Sequence, residues 1–236
     1  PSSARQRVGG YSSVPYGYTV NSVYEELKNA LGDEVTVLQS SGCGIPKGVE
    51  AVAMEDGQPH LIEVYDEDEN GSVDDAVKVA EQSDLVIFVG GDNNFTSGEG
   101  HDRSDLKLPG KQRELILEIA KTGKPLILVF ENGRAIDLSE EVKVSNAILV
   151  SWFGGEFGAK AIVETLLGEN NPAGRVPVSF PADSNRIPCY YSILPNNTEM
   201  MFEGERGPRY AFGYGLAYTE FQYSNLKIEK QGRTDY

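Results

Sequence analysis

The chain has 236 residues, which at the usual ~150 per domain allows one large domain or one domain with substantial extensions. Twenty-one Lys and Arg against 36 Asp and Glu give a net charge of −15, a field that repels nucleic acid and anionic lipid, so neither is an expected partner. Hydrophobic residues at 39%, with 26 glycines and 12 prolines, describe a turn-rich globular chain and exclude global disorder. Two cysteines, Cys43 and Cys189, are too few for a disulfide framework and are expected as unpaired thiols. No run approaches the roughly 18 to 20 apolar residues of a bilayer span, so a soluble chain is expected. The start at Pro1 reads as a processed product or a fragment, which leaves the parent's compartment open between periplasm, secretion and cytoplasm. Asn94 and Asn196 stand in glycan-acceptor triplets, a pattern that also arises by chance.

The first 18 residues read as a looped lead-in. Helical spacing of Val20, Val23, Tyr24, Leu27, Ala30 and Leu31 predicts a helix over 20–31 capped by Thr19 and stopped by Gly32. EVTVLQ at 34–39 reads as a short strand. Residues 46–71 carry scattered apolar positions and read as loop, ending in seven acids and no base between Glu63 and Asp75. That charge block is a solvated face; it lacks the glycine and terminal glutamate of a calcium loop. Ser72 then caps a helix over 72–82.

Three continuous apolar runs follow, DLVIFVGG (84–91), KPLILVFENG (124–133) and NAILVSWFGG (146–155). Continuous rather than alternating apolarity marks strands covered on both faces. Helical periods lie between and after them, at 111–121 and 156–167. The fold class is therefore α/β: an open three-layer sandwich with a mostly parallel sheet. From 169 onward, short β-prone pieces broken by Pro and Gly predict an extended C-terminal wrap, with 218–229 as a strand of unassigned partner.

In such folds chemistry sits in loops at the carboxyl ends of the strands, here 91–105, 131–137 and 152–158. No dinucleotide fingerprint, phosphate loop, nucleophile elbow or CxxC is present, and His60 and His101 are too isolated for a zinc site. No cofactor or metal is expected. The loop 92–110 gathers Glu99, His101, Asp102, Arg103 and Asp105 among glycines. It reads either as a polar surface loop or as a carbohydrate or phosphate site. Glu99, between two glycines, is a candidate proton donor, while Arg103 and Asp105 can pair to anchor the loop. Arg134 and Asp137 lie on the second loop. Trp152 and Phe153 on the third either meet a sugar face or seal the core.

The ordered set SGEGHDRSDLKLPGKQRELI (97–116), GKPLILVFENGRAIDL (123–138), NAILVSWFGGEFGAKAIVETLLGENNPAGRVPVSFP (146–181), IPCYYS (187–192) and RYAFGYGLAYTEF (209–221) closely resembles the second, α/β-sandwich domain of family 3 glycoside hydrolases, the β-glucosidases and β-xylosidases. The resemblance implies a retaining exo-hydrolase of terminal β-D-glycosyl residues, acting on a β-linked oligosaccharide or glycoside. The nucleophilic aspartate would come from a (β/α)8 barrel, as domain or separate chain, and the acid/base glutamate from this domain. It assigns Glu99 as general acid/base and Arg103 and Asp105 as structural loop residues; from the residues themselves, Asp102 beside Arg103 is expected to organise the loop, and His101, Arg134, Trp152 and Phe153 are candidates to line the substrate site. It divides the chain into a sandwich domain at 1–217, without its usual first strand, and an extension at 218–236 leading toward a fibronectin-type domain. The barrel motifs are not found in this sequence, so the chain alone is expected to be inactive. A stand-alone, non-catalytic carbohydrate-binding or structural module is the competing reading. Glucoside or xyloside preference, linkage and oligomeric state stay open.

Overall fold

The computed structural model describes residues 9, 12, 20–44, 71–192 and 207–228, and the backbone of 48–53 and 59–64. Helix α1 (Val23–Leu31) leads to a 3-10 turn at Gly32–Glu34 and an antiparallel pair, β1 (Gly48–Ala53) and β2 (Pro59–Val64). Helix α2 (Val73–Glu81), strand β3 (Val86–Gly91), helix α3 (Gln112–Ala120), strand β4 (Leu126–Glu131), the short helix α4 (Glu141–Val144), strand β5 (Ala147–Val150) and helix α5 (Gly158–Leu166) follow. β3, β4 and β5 form a parallel sheet in that order, with Phe88 opposite Leu128 and Leu128 opposite Ile148. The three apolar runs thus form one sheet, as their continuous apolarity predicts.

Period-two geometry divides β4 between two cores. Leu126, Leu128 and Phe130 face Ala76 and Ala80 of α2 and Leu115, Ile116 and Ile119 of α3. Val129, with Ile127, meets Val23 and Leu27 of α1 and Ala159, Ile162 and Val163 of α5. α2 packs on α3 and α1 on α5, which makes the three layers of the expected sandwich. Phe130 is wholly buried and meets Phe88 edge to face at 6.1 Å, a site where truncation to alanine costs about 3–5 kcal/mol.

Several expectations need correction. The cap of α1 is Ser22, not Thr19: its hydroxyl accepts from Glu25 N at 3.1 Å while the Glu25 carboxylate accepts from Ser22 N at 2.6 Å, a reciprocal box that sets the start at Val23. Thr19 itself lies outside the described residues. The strand expected at 34–39 does not form: among the described residues no strand pairs with it, and Val35 and Leu38 stay exposed. Alternation there expresses local propensity, which needs a neighbouring strand to become a ladder. Conversely, the stretch read as loop at 46–71 contains the β1–β2 pair, because scattered apolar positions can serve a two-stranded ribbon as well as a loop. The acids at 66–69 lie outside the described residues. Ser72 does cap α2, accepting from Asp75 N at 3.3 Å.

The wrap is built by a few pairings rather than a sheet. Phe180 and Tyr210 form an antiparallel bridge, and Val176 exchanges hydrogen bonds with Tyr214 O and Gly213 N at 2.9 Å each. Phe180, 1% exposed, then meets Trp152 and Tyr210 edge to face. Of the strand expected at 218–229, residues 218–228 are described and form none: Tyr223 is 97% exposed, and no described strand pairs with the stretch. Cys43 and Cys189 are both free thiols, and burial pushes Cys43 up to about 11. Among the described residues no helix is long and apolar enough to cross a membrane.

Candidate active site

β3, β4 and β5 all end at one edge of the sheet, so their three following loops converge there. β3 leaves through Gly91 at φ 129°, where any Cβ would collide with the Glu131 carbonyl. Only glycine fits that combination of backbone angle and close approach. The next six residues fold tightly: Asn93 O accepts from Thr96 N at 3.1 Å and Ser97 N at 3.0 Å, and Asn93 Oδ1 accepts from Phe95 N at 2.8 Å. Thr96 Oγ1 accepts from Asn93 N at 3.0 Å and donates to Asp92 Oδ1 at 3.1 Å. This knot carries the chain up to Gly98 at φ 151° and Gly100 at φ 74°, with Glu99 exposed between them.

Glu99 therefore stands at the tip of a loop whose base is ordered. Asp102 is exposed, Arg103 half-buried, and Asp105 Oδ1 accepts from Lys107 N at 2.9 Å, folding the descending limb. His101 is half-buried; its backbone donates to Gly98 O at 3.2 Å, and its Nδ1 is enclosed without a hydrogen-bond partner. Arg134 points into the base of the loop, where Nη2 donates to Asp92 Oδ1 and to Lys107 O at 3.0 Å each. The three loops touch at Gly133: a Cβ there would strike the Ser97 hydroxyl and stand 2.9 Å from the Phe153 ring. Trp152 takes the left-handed region at φ 55°, strained for a non-glycine residue, and turns its ring onto Phe180. In this chain its contacts are those of a core seal.

Gln112 was not singled out by its sequence context, yet it closes the loop from below. Its Nε2 donates to Gly91 O at 2.8 Å and Pro109 O at 3.1 Å, and its Oε1 accepts from Gly91 N at 2.7 Å. The available signal was its position: Gln112, Leu115, Ile116 and Ile119 form one buried stripe of α3, and a polar residue on such a stripe needs partners.

Two buried aspartates flank this base. Burial pushes the Asp92 carboxyl up, against the Arg134 charge and hydrogen bonds from Thr96, Arg134 and the Gly133 backbone. Asp137 is also pushed up by burial, but donors overcome it. Ser139 N reaches Oδ1 at 3.0 Å, and Ser184 reaches Oδ2 through N at 3.0 Å and Oγ at 2.8 Å, leaving the carboxyl at about 2. Arg113 lies beside it, donating to Asp137 O at 2.6 Å and to both oxygens of the wholly buried Glu141 at 2.7 and 3.0 Å. Among the described residues no three His, Cys, Asp or Glu side chains gather in a metal-binding group.

A parallel α/β sandwich with a carboxylate raised on a loop at the strand carboxyl ends defines a domain class that builds sites at this edge. Residues 2–218 match the glycosyl hydrolase family 3 C-terminal domain, and the chain belongs to that family. It is 34% identical to the periplasmic beta-glucosidase of Salmonella typhimurium strain LT2, over 96% of this chain and 31% of that protein. It is 34% identical to a beta-xylosidase of Formosa agariphila, over 94% of this chain and 28% of the other. Among solved structures, a β-glucosidase from Erythrobacter marinus superposes with a TM-score of 0.71 at 28% identity, covering 93% of this chain and 30% of that one. The chain thus spans about a third of the length of these relatives.

Proposed function

We propose that this chain is the acid/base-bearing part of a retaining, exo-acting β-glycosidase that removes terminal β-D-glucosyl or β-D-xylosyl residues. The observation that carries this is Glu99, exposed between two positive-φ glycines at the tip of a loop whose base is held to the sheet. A projecting carboxyl can protonate the glycosidic oxygen and then, as carboxylate, take a proton from the incoming water. Retention requires a second carboxylate about 5–5.5 Å from the first, on the other side of the scissile bond. That nucleophile is assigned to a (β/α)8 barrel packed against this edge, and names among the relatives supply the β-glucoside and β-xyloside substrate classes. Asp102, Arg103 and Asp105 shape the descending limb, and His101 and Phe153 line the sugar side of the same edge, next to Trp152, which seals the core. The sandwich is residues 1–217, with 218–236 leading into a following module.

The test is Glu99→Gln in the complete enzyme, on glycosides differing only in leaving-group pKa. Loss of about 10²–10⁴ in rate on alkyl or sugar leaving groups, with far less on nitrophenyl ones, is expected. A flat response across the series, or the steep dependence appearing in Asp102→Asn instead, overturns the assignment. Turnover by the 236-residue chain alone would equally show that the nucleophile lies within it.

A further inference from the structure

We propose that Gly100 is a positioning residue for Glu99, because it forms the corner of a type II turn in which Glu99 is the preceding residue. The inference rests on the acid/base reading of Glu99. The turn spans Gly98 to His101 and is closed by His101 N donating to Gly98 O at 3.2 Å. Its third residue, Gly100, has φ 74°, whereas the φ of Glu99 is negative. A negative φ at the second position and a positive one at the third define type II and exclude types I, I′ and II′. The His101 ring packs against the first residue of the turn, with Cδ2 3.6 Å from where a Cβ on Gly98 would stand.

Several groups hold the loop as a whole. Arg103 has an interaction of its own, Gln112 joins Gly91 to Pro109, and Arg134 joins Asp92 to Lys107 O. These fix where the loop lies on the sheet. The peptide that follows Glu99 is a different matter: its plane is set by the turn, of which Glu99 is itself a member. Gly100 is singled out within that turn because the space around it is open. A Cβ at Gly100 would meet no described atom within 4 Å, whereas one at Gly133 would strike Ser97. Glycine is therefore required at 100 by backbone angle and not by room. An L-residue other than Asn disfavours φ 74° and moves the turn toward type I, in which ψ of the second residue is about −30° in place of about +120°. The peptide between Glu99 and residue 100 then turns over, and the backbone that carries the carboxyl shifts with it. Misplacement of a catalytic group by about 1 Å can cost about 100-fold in rate. A changed turn should therefore appear in the chemistry of Glu99 rather than in substrate affinity.

The experiment compares Gly100→Ala and Gly100→Asn with the parent, reading the turn by NMR in this chain and steady-state kinetics in the complete enzyme. In the parent, ψ near about +120° brings Hα of Glu99 beside the amide of residue 100 and gives a strong NOE between them; a type I turn replaces it with an NOE between the two amides. Gly100→Ala should show the second pattern. It should lower kcat about 10-fold on alkyl glycosides and less than about threefold on nitrophenyl glycosides, with KM within about threefold. Gly100→Asn introduces a larger side chain that tolerates the left-handed region, so it should keep the parent's NOE pattern and recover most of the rate. Greater damage in Gly100→Asn than in Gly100→Ala, or a KM that rises with side-chain size, would make position 100 a steric contact and overturn the proposal. A turn that stays type II in Gly100→Ala overturns it, as does a turn that changes type with kcat unchanged on every glycoside. Loss of amide protection throughout β4 would make Gly100 a general stability element and overturn it too. A changed turn with an equal loss on every leaving group would keep Gly100 as a positioning residue and reject the acid/base role of Glu99.

Discussion

Asp92 and Asp137 are both buried, both follow strands of the parallel sheet, and both face an arginine, yet their surroundings push them in opposite directions. Asp137 has donors from Ser139 and Ser184 on its two oxygens and sits well below the ordinary carboxylate range at about 2. Asp92 concentrates its side-chain bonds on Oδ1, leaves Oδ2 enclosed without a hydrogen-bond partner, and is pushed up by burial. Salt-bridge count does not separate them; the number of fixed donors per oxygen does. Asp137 belongs to a satisfied network that fastens the wrap to the sheet, since Ser184 Oγ also accepts from Leu106 N at 3.3 Å. Asp92 belongs to a less satisfied pair under the loop that carries Glu99, which is where the fold tolerates polar groups it has not fully matched.

The largest effect on that contrast is expected from Arg113→Met. It leaves Glu141, wholly buried, and the Asp137 carbonyl without their main donor, and breaking a buried pair from one side costs about 3–5 kcal/mol. Urea denaturation of this chain at neutral pH measures it. Next comes Asp137→Asn. A folded pKa of about 2 against an ordinary 3.8 means that the carboxylate contributes stability above about pH 4, lost as pH falls through 2. The contribution is about 1–2 kcal/mol, the lower end reflecting screening by nearby solvent. Parent and variant should therefore differ at pH 6 and converge near pH 2, and a constant gap would refute the network. Ser184→Ala, which removes one donor to Asp137 and the acceptor for Leu106 N, should cost about 1 kcal/mol by the same denaturation.

Asp92→Asn should have the smallest effect on stability. With the folded pKa raised, the charged form is disfavoured in the fold, and its penalty grows as pH rises through the carboxylate range. Neutralising it should leave stability at pH 7 within about 1 kcal/mol of the parent or slightly above it. A loss comparable to that of Arg113→Met would erase the distinction between the two aspartates.

The legible part of this protein was carried by periodicity and by position. The runs at 84–91, 124–133 and 146–155 had to be doubly covered strands, and β4, buried on both faces, is what such a run becomes. Glu99 could be singled out because its flanking glycines and its place after β3 are sequence properties. Gln112 was hidden by its type, since a glutamine at a helix start reads as solvent-facing unless its partners are known. The failures at 34–39 and 218–228 share one cause: strand propensity was present, but a ladder needs a second backbone, and no described strand pairs with either stretch. The β1–β2 pair failed in the other direction, for scattered apolar positions do not announce register.

By itself the sequence determined the α/β sandwich class, the family and the place of Glu99 between two glycines after β3, because hydrophobic period, glycine placement and motif order are local and additive. Tertiary structure alone decided that Arg134 turns inward to hold Asp92 and Lys107, that Gln112 stitches Gly91 to Pro109, and that two similar aspartates become unlike acids. Those outcomes combine donors from 21 to 47 positions away, such as Arg134 on Asp92, Gln112 on Gly91 and Ser184 on Asp137, with near ones, Thr96 and Ser139, and the distant part of that arrangement is what the local sequence does not show.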